Sequence, residues 1–368
     1  MGMEIKKIED LGWDGFFGSK RTELGLDDFA VARVAAEYKG AYKVRNENGE
    51  FLAKMTGRQI FKARSQEDRP AVGDWVAIVE LDNGQAVIRN ILPRKSIIKR
   101  RFGDKNKTGD KNDIQIIASN IDVAFIVQSV GRDYSINRLE RYLAIARDSA
   151  IKPVIIINKI DLISAEELNS KLTEINNRLG DIDVVPTSAI DNEGLDKLKK
   201  YIGRGKTCCF LGSSGVGKSS LINRLLEKNA IKTGSISQYS ERGKHITTNR
   251  EMYFLENGGI MVDNPGIREV GMAEDRVEID SLFGEITALA EKCKYANCTH
   301  IHEPGCGILS ALEDGKIDKD KYSNYISLKK EAGYYGMNDV GKREKNRNFG
   351  KFIKKAKKEL KNFGHKDY

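Results

Sequence analysis

Several short stretches of the chain carry residue types at spacings that can do chemistry on a phosphorylated ligand. Gly212-Ser213-Ser214-Gly215-Val216-Gly217-Lys218-Ser219-Ser220 has the spacing of a phosphate-binding loop, and it lies between the apolar run CCFL and the helical-looking SSLINRLLEK. Glycines there let successive N–H groups close round phosphate oxygens, and the following helix presents its positive end. Lys218 reaches the outer phosphates, and the Ser219 hydroxyl can ligate magnesium. Such a loop serves ATP or GTP. Asn158-Lys159-Ile160-Asp161, after the apolar run PVIII, points to GTP. The Asp161 carboxylate suits the N1–H and exocyclic amine of guanine, a donor pair that adenine lacks, while Asn158 and the stem of Lys159 hold the loop and cover the base. Thr187-Ser188-Ala189, after DVVP, matches the loop whose backbone touches the guanine oxygen, with Ser188 and Ala189 as the contacts.

Two further segments belong to the terminal phosphate. In Asp263-Asn264-Pro265-Gly266, after GGIMV, Asp263 can hold magnesium through water and the Gly266 N–H can meet the γ-phosphate. In GKHITTNR, Thr247 or Thr248 can close over magnesium when GTP is bound, and Thr248 is preferred. Ile267 stands where many such enzymes carry the glutamine that orients the attacking water, and an apolar side chain cannot do so. His245 is the best replacement by type and neighbourhood, with Arg242 or Lys244 able to offset charge. The expected catalytic set is therefore His245, Lys218 and Thr248. Ordinary small GTPases run from phosphate loop to switch threonine, DxxG, NKxD and SA loop. This chain runs NKxD, SA, phosphate loop, threonine, DxPG, a circular permutation that is feasible when the old termini lie close together.

Cys293, Cys298, His300 and Cys306 give C-x4-C-x-H-x5-C, three thiolates and one imidazole. Four N and S ligands so close in sequence fit a closed tetrahedral zinc site, one ion per chain, with no place for a catalytic water. His302, one residue removed, is an alternative to His300.

These groups need elements to hold them. From Phe29 to Leu92 the runs FAVARVAA, AYKV, EFLAKMTG, DWVAIVE and QAVIRNIL, separated by turn residues, predict five short strands in a small antiparallel barrel. An OB-fold is the chosen assignment, and an SH3-like barrel fits the pattern nearly as well. Residues 93–113, rich in Lys and Arg, read as a basic linker. Beyond it VAFIVQ, PVIIIN, CCFLG and GGIMVD alternate with helical-looking segments such as NRLERYLAIARDSA, which predicts a doubly wound α/β domain. The expected division is residues 1–100 for the N-terminal region with its barrel, 101–272 for the nucleotide domain and 273–368 for a helical zinc-binding domain. Phe349, Phe352, Ile353, Ala356, Leu360 and Phe363 would form one apolar stripe on a helix in the tail, where residues 342–368 hold 11 Lys or Arg against 3 acidic residues.

The whole chain is 368 residues with 62 Lys and Arg against 53 Asp and Glu, a net charge of +9. That balance favours a polyanionic partner without naming it. A charged start and the lack of a long apolar run predict a cytoplasmic protein with no membrane partner, and a monomer is expected.

Taken jointly, NKID, GSSGVGKSS, GKHITT, DNPGIRE and the Cys/His spacing resemble the ribosome-small-subunit-dependent GTPases, bacterial permuted GTPases with an N-terminal OB-fold and a C-terminal zinc domain. The resemblance covers nearly the whole length. It implies GTP and GDP as ligands with Mg2+ and Zn2+, and a late-acting assembly factor of the small ribosomal subunit that binds its rRNA and whose weak GTPase that subunit stimulates. It also implies a catalytic role for His245. Ile246 and Asn264 replace the threonines common in the family. Two rivals are a P-loop ATPase or small-molecule kinase, in which NKID is accidental, and an RNA-binding scaffold with a vestigial nucleotide site, against which Lys218, Ser219 and Asp263 argue.

Overall fold

A computed structural model describes residues 5–63, 65–102, 113–131, 133–227, 250–263, 277–335 and 347. These residues fall into two compact units, one holding 5–102 and 113–263, the other beginning at 277.

The first unit opens with α1 (Gly15–Glu23), capped by the Asp14 carboxylate, which accepts from the Phe16 N–H. Five strands follow: β1 (Ala30–Tyr38), β2 (Ala41–Asn46), β3 (Gly49–Met55), β4 (Trp75–Leu81) and β5 (Gln85–Ile91), with α2 (Gly57–Lys62) between β3 and β4. Pairing runs β1-β2-β3-β5-β4 and closes through β4 onto β1, with β3–β5 the one parallel pair among these five strands. That closed five-stranded barrel fulfils the OB-fold expectation, and closure removes the free edges that an open sheet would expose. Alternate residues, among them Val34, Val44, Ala53, Ile78 and Ile88, fill its interior. A second cluster, Leu11, Phe17, Leu26, Trp75, Ala77 and Leu92, lies outside those, with Trp13 edge-on to Trp75 at 4.8 Å between ring centroids.

The stretch expected to be a linker is partly strand. β6 (Ile97–Phe102) pairs antiparallel with β7 (Asp113–Ser119). The charged run Lys99-Arg100-Arg101 hid β6, whose Ile98 is buried, while Ile116, Ile117 and Ala118 of β7 are buried in succession.

Then come β8 (Val123–Ser129), α3 (Ile136–Asp148), β9 (Lys152–Asn158), α4 (Ala165–Leu179), β10 (Val184–Thr187), α5 (Leu195–Lys199), β11 (Thr207–Leu211), α6 (Lys218–Leu225), β12 (Glu251–Phe254) and β13 (Ile260–Asp263). The sheet order is β10-β9-β8-β11-β13-β12, parallel except for β12. β11, which feeds the glycine-rich loop, sits in the middle although β8, β9 and β10 all precede it in the chain. The permutation read from the motifs is thus carried by the sheet. Phe125, Val127, Ile156, Phe210 and Leu221 are buried in its core, and the run is continuous because both faces are covered. Cys208 and Cys209 in β11 are fully buried, which pushes the Cys209 thiol up to about 12 and leaves it unreactive.

Two joints between barrel and nucleotide sheet stand out. β12 bridges β1 at Ala36 and Glu251, backed by the Lys43–Glu251 ion pair at 3.1 Å. The other joint is polar and buried. The Asp74 carboxylate accepts from Arg94 Nε at 2.7 Å and Nη2 at 2.6 Å, from the Ala71 N–H at 2.8 Å and from Ser119 Oγ at 2.5 Å. Arg33, fully buried, donates to the carbonyls of Leu11, Gly73 and Asn120, and burial pulls its guanidinium down to about 10. Gly73, at φ +96°, is required here, since a Cβ would meet the Ser119 carbonyl oxygen at 2.1 Å.

The second unit contains α7 (Val277–Leu282), α8 (Gly284–Ala290), α9 (Gly307–Glu313) and α10 (Lys319–Tyr335) around Ile279, Phe283, Ile286, Ile308 and Tyr325. Among the described residues no helix is long and apolar enough to cross a membrane.

Asp74→Ala removes one member of a buried ion pair and strands Ser119 and Arg94, so it should cost about 3 kcal/mol or more of unfolding free energy. A urea titration of the first unit's tryptophan fluorescence checks this, and an unchanged midpoint contradicts it.

Candidate functional site

The nucleotide-type motifs converge at the carboxyl ends of β9, β10, β11 and β13, where open α/β sheets bind ligands. β9 and β10 end in register at Asn158 and Thr187. The Asn158 side chain, 1% exposed, accepts from Thr187 Oγ1 at 3.0 Å and donates to the Val216 carbonyl at 2.8 Å. One carboxamide therefore ties the base-type loop, the strand before Ser188 and the glycine-rich loop together. Gly217, at φ +98°, permits that approach, because a Cβ there would lie 2.2 Å from Asn158 Nδ2. It would also lie 3.9 Å from Lys159 Cε, so the Lys159 stem runs alongside the loop. Lys159 itself adopts the left-handed conformation at φ 66°, which turns the chain into the short 3-10 turn bearing the exposed Asp161.

Gly212 needs its φ of +149° and its missing side chain, since a Cβ would clash with the Val127 carbonyl oxygen at 2.3 Å. Lys218 Nζ donates to the Gly212 and Ser213 carbonyls at 2.8 and 2.7 Å. Burial pulls its ammonium down to about 8, with the Asp263 carboxylate opposing the shift. An incoming polyphosphate would replace two neutral carbonyls with anionic oxygens and restore the charge. Ser214, Gly215, Ser219 and Ser220 follow on the same loop and the first turn of α6, whose N–H groups point the same way.

A cleft of about 1110 Å³ opens between these loops, lined by Asn158, Lys159, Asp161, Ala189, Gly217 and Ser220 among others. Ser188 is buried and fixed twice: its N–H donates to the Glu193 carbonyl at 3.1 Å, and its Oγ bonds Asp191 Oδ2 at 3.1 Å. His245, Thr247, Thr248 and Gly266 lie outside the described residues, as do Arg242, Lys244, Asn264, Ile267, Arg268 and, apart from Arg347, the basic tail.

Sequence reasoning missed three side chains that hold these loops. Arg138 on α3 donates to Ser213 Oγ at 3.0 Å. Asp191 closes the Ser188 turn, and Arg224 on α6 donates to the Ala189 carbonyl at 2.9 Å. Asp191 stands three residues after Ser188, a spacing that signals such a turn. Nothing local marks the two arginines, whose contacts cross the tertiary structure.

The second unit brings Cys293, Cys298, His300 and Cys306 together, with all ligand atoms within 4.8 Å of one another. Tetrahedral zinc with about 2.3 Å to sulfur and 2.05 Å to nitrogen demands about 3.8 Å between sulfurs and about 3.6 Å from sulfur to nitrogen. Cys293 and Cys306 Sγ are 3.8 Å apart, and each is 3.6 Å from His300 Nδ1. N–H groups of Gly307 and Leu309 donate to the Cys293 and Cys306 sulfurs, as thiolate ligands require. The donor set and its spacing are compatible with zinc. His302 lies exposed, outside this group.

Residues 91–273 match the family described as RsgA GTPase. The "Small ribosomal subunit biogenesis GTPase RsgA 1" of Bacteroides thetaiotaomicron is 35% identical over 99% of this chain and 100% of the relative. The "Small ribosomal subunit biogenesis GTPase RsgA" of Methanosarcina acetivorans is 40% identical over 90% of this chain and 88% of its own length. Among solved structures, YjeQ from Thermotoga maritima superposes with a TM-score of 0.58 at 26% identity, covering 81% of this chain and 96% of that one. YloQ, described as a circularly permuted GTPase, gives 0.56 at 23% over 83% and 95%, a likeness of fold. With the permuted sheet, the convergent loops and these relatives together, the chain belongs to the RsgA GTPase family and is a GTP hydrolase.

Proposed function

We propose that this GTPase is a late assembly factor of the small ribosomal subunit, acting as a cytoplasmic monomer that binds the subunit's rRNA and whose turnover the subunit stimulates. The observation that carries the nucleotide half is the Asn158 carboxamide, which joins the base-type loop to the glycine-rich loop in one cleft. The relatives' printed names carry the partner, and the surplus of 62 basic over 53 acidic residues accords with a polyanionic one.

In this reading Asp161 accepts from the guanine N1–H and amine, Lys159 covers the base, and the Ala189 N–H meets the guanine oxygen. Gly212, Ser213, Ser214, Gly215, Val216, Gly217 and Ser220 wrap the phosphates, and Lys218 neutralises the outer ones. Ser219, Thr248 and, through water, Asp263 would hold magnesium, with Thr247 the alternative to Thr248. Magnesium supplies charge neutralisation of the polyphosphate when bound. His245 orients the attacking water in place of the glutamine that Ile267 excludes, and the Gly266 N–H meets the γ-phosphate. Cys293, Cys298, His300 and Cys306 would hold one zinc ion, which organises the short helices of the second unit rather than reacting.

Two substitutions separate binding from chemistry. Asp161→Asn exchanges an acceptor for a mixed donor and acceptor, so GTP affinity should fall about 100-fold while xanthosine triphosphate, with a carbonyl in place of the amine, gains. Equal GTP binding by both proteins removes Asp161 from base recognition. His245→Ala should keep GTP affinity and lower kcat roughly 100-fold, and unchanged turnover removes His245 from the mechanism. For the metal, elemental analysis should find one zinc per chain, and chelation should lower the melting temperature of the second unit. A zinc-free chain that melts unchanged contradicts the assignment.

A further inference from the structure

Within the reading above, the guanine oxygen is met by the Ala189 N–H, yet nothing in the motif explains how that short loop is aimed. Its N-terminal side is self-contained. Ser188 is bridged to Glu193 by its N–H and to Asp191 through its hydroxyl, and the Asp191 N–H returns to Ser188 Oγ at 3.2 Å. Gly194, at φ +77°, closes the turn where a Cβ would strike the Pro186 carbonyl oxygen at 2.1 Å. These bonds shape the loop, but they set neither its height over the cleft nor its distance from the phosphate loop.

We infer that Arg224 is the positioning residue that does this. Its Nε donates to the Ala189 carbonyl at 2.9 Å, across 35 residues of sequence. Arg224 lies on α6, the helix whose first residues are Lys218 and Ser219. The neighbours of its base are rigidly set, for Leu221, Ile222 and Leu225 are buried in the core and Asn223 is 8% exposed. Arg224 and Ala189 both line the cleft. The Ala189 carbonyl and the Ala189 N–H belong to consecutive peptide planes. Fixing the first therefore restricts the φ and ψ that orient the second. One side chain thus spans from the helix that begins at the phosphate site to the loop that meets the base. Its planar guanidinium suits this better than a flexible ammonium, since its donors point in fixed directions.

The test uses the full chain and three diphosphates: GDP, 6-thio-GDP, in which only the O6 position is changed to a weaker and larger acceptor, and IDP, which lacks only the 2-amino group. Arg224→Ala should release GDP about fivefold faster, the worth of one exposed hydrogen bond. It should compress the preference for GDP over 6-thio-GDP by a similar factor while leaving the preference for GDP over IDP unchanged, because that edge belongs to Asp161. Arg224→Lys, which keeps a donor and the charge, should recover part of the loss. If Arg224→Ala keeps both the dissociation rate and the 6-thio-GDP ratio, the inference is overturned and the base reading stands. If both ratios fall together, Arg224 is a general support and the inference is likewise overturned. Equal affinity of the unsubstituted chain for GDP and 6-thio-GDP would instead sink the reading of the Ala189 loop on which the inference rests.

Discussion

Asn158 holds the two halves of the nucleotide cleft in register. Its oxygen takes the Thr187 hydroxyl and its amide hydrogen goes to the Val216 carbonyl, so three loops from three strands meet on one buried side chain. Burial makes these bonds matter, since truncating the side chain would leave two polar groups unpaired away from water. The constraint also dictates its surroundings. Gly217 must lack a side chain, Lys159 must turn left-handed beside it, and β9 and β10 must end at the same level. Those requirements explain why an Asn, a Gly and a Thr far apart in sequence behave as one unit.

Permutation changes which joints carry the load. With the chain entering the sheet at β8 and leaving after β13, the strand order around β11 is preserved while the covalent connections are not. The barrel compensates at the entry. Asp74, Arg94 and Arg33 make a buried polar joint to Ser119 and Asn120 immediately before β8, and β12 continues the sheet into β1. A charged joint of this kind is costly to desolvate and costly to break, which favours one arrangement of barrel against sheet over alternatives. The helical unit is organised differently: its apolar cluster is small, and the Cys/His group supplies the second centre around which its chain turns.

What could be read from sequence followed the range of each interaction. The glycine-rich loop, NKID and the cysteine spacing are local strings whose geometry is set by neighbouring residues, so they locate their loops directly. The barrel strands showed because their apolar residues come in short runs bounded by turn residues, and the core residues Val34, Val44 and Ile78 belong to three of those runs. A closed barrel was legible as well; which strands pair to close it, β4 on β1 with β3 beside β5, was not, since the pattern fits an SH3-like barrel nearly as well. β6 was taken for part of a linker because the charged run Lys99-Arg100-Arg101 follows its buried Ile98. Arg33 reads as surface in any composition count, yet it is buried against Trp75 and pays its desolvation with three carbonyls. Arg224 and Arg138 act through long side chains across the fold, where no spacing rule applies.

The most direct measurement of the whole account is GTP turnover by the purified chain alone, with isolated small ribosomal subunits, and with large subunits, in one buffer of fixed salt. The account predicts slow turnover alone and with large subunits, and a large increase with small subunits. Equal rates in all three conditions would contradict it, leaving a GTPase whose partner is something else.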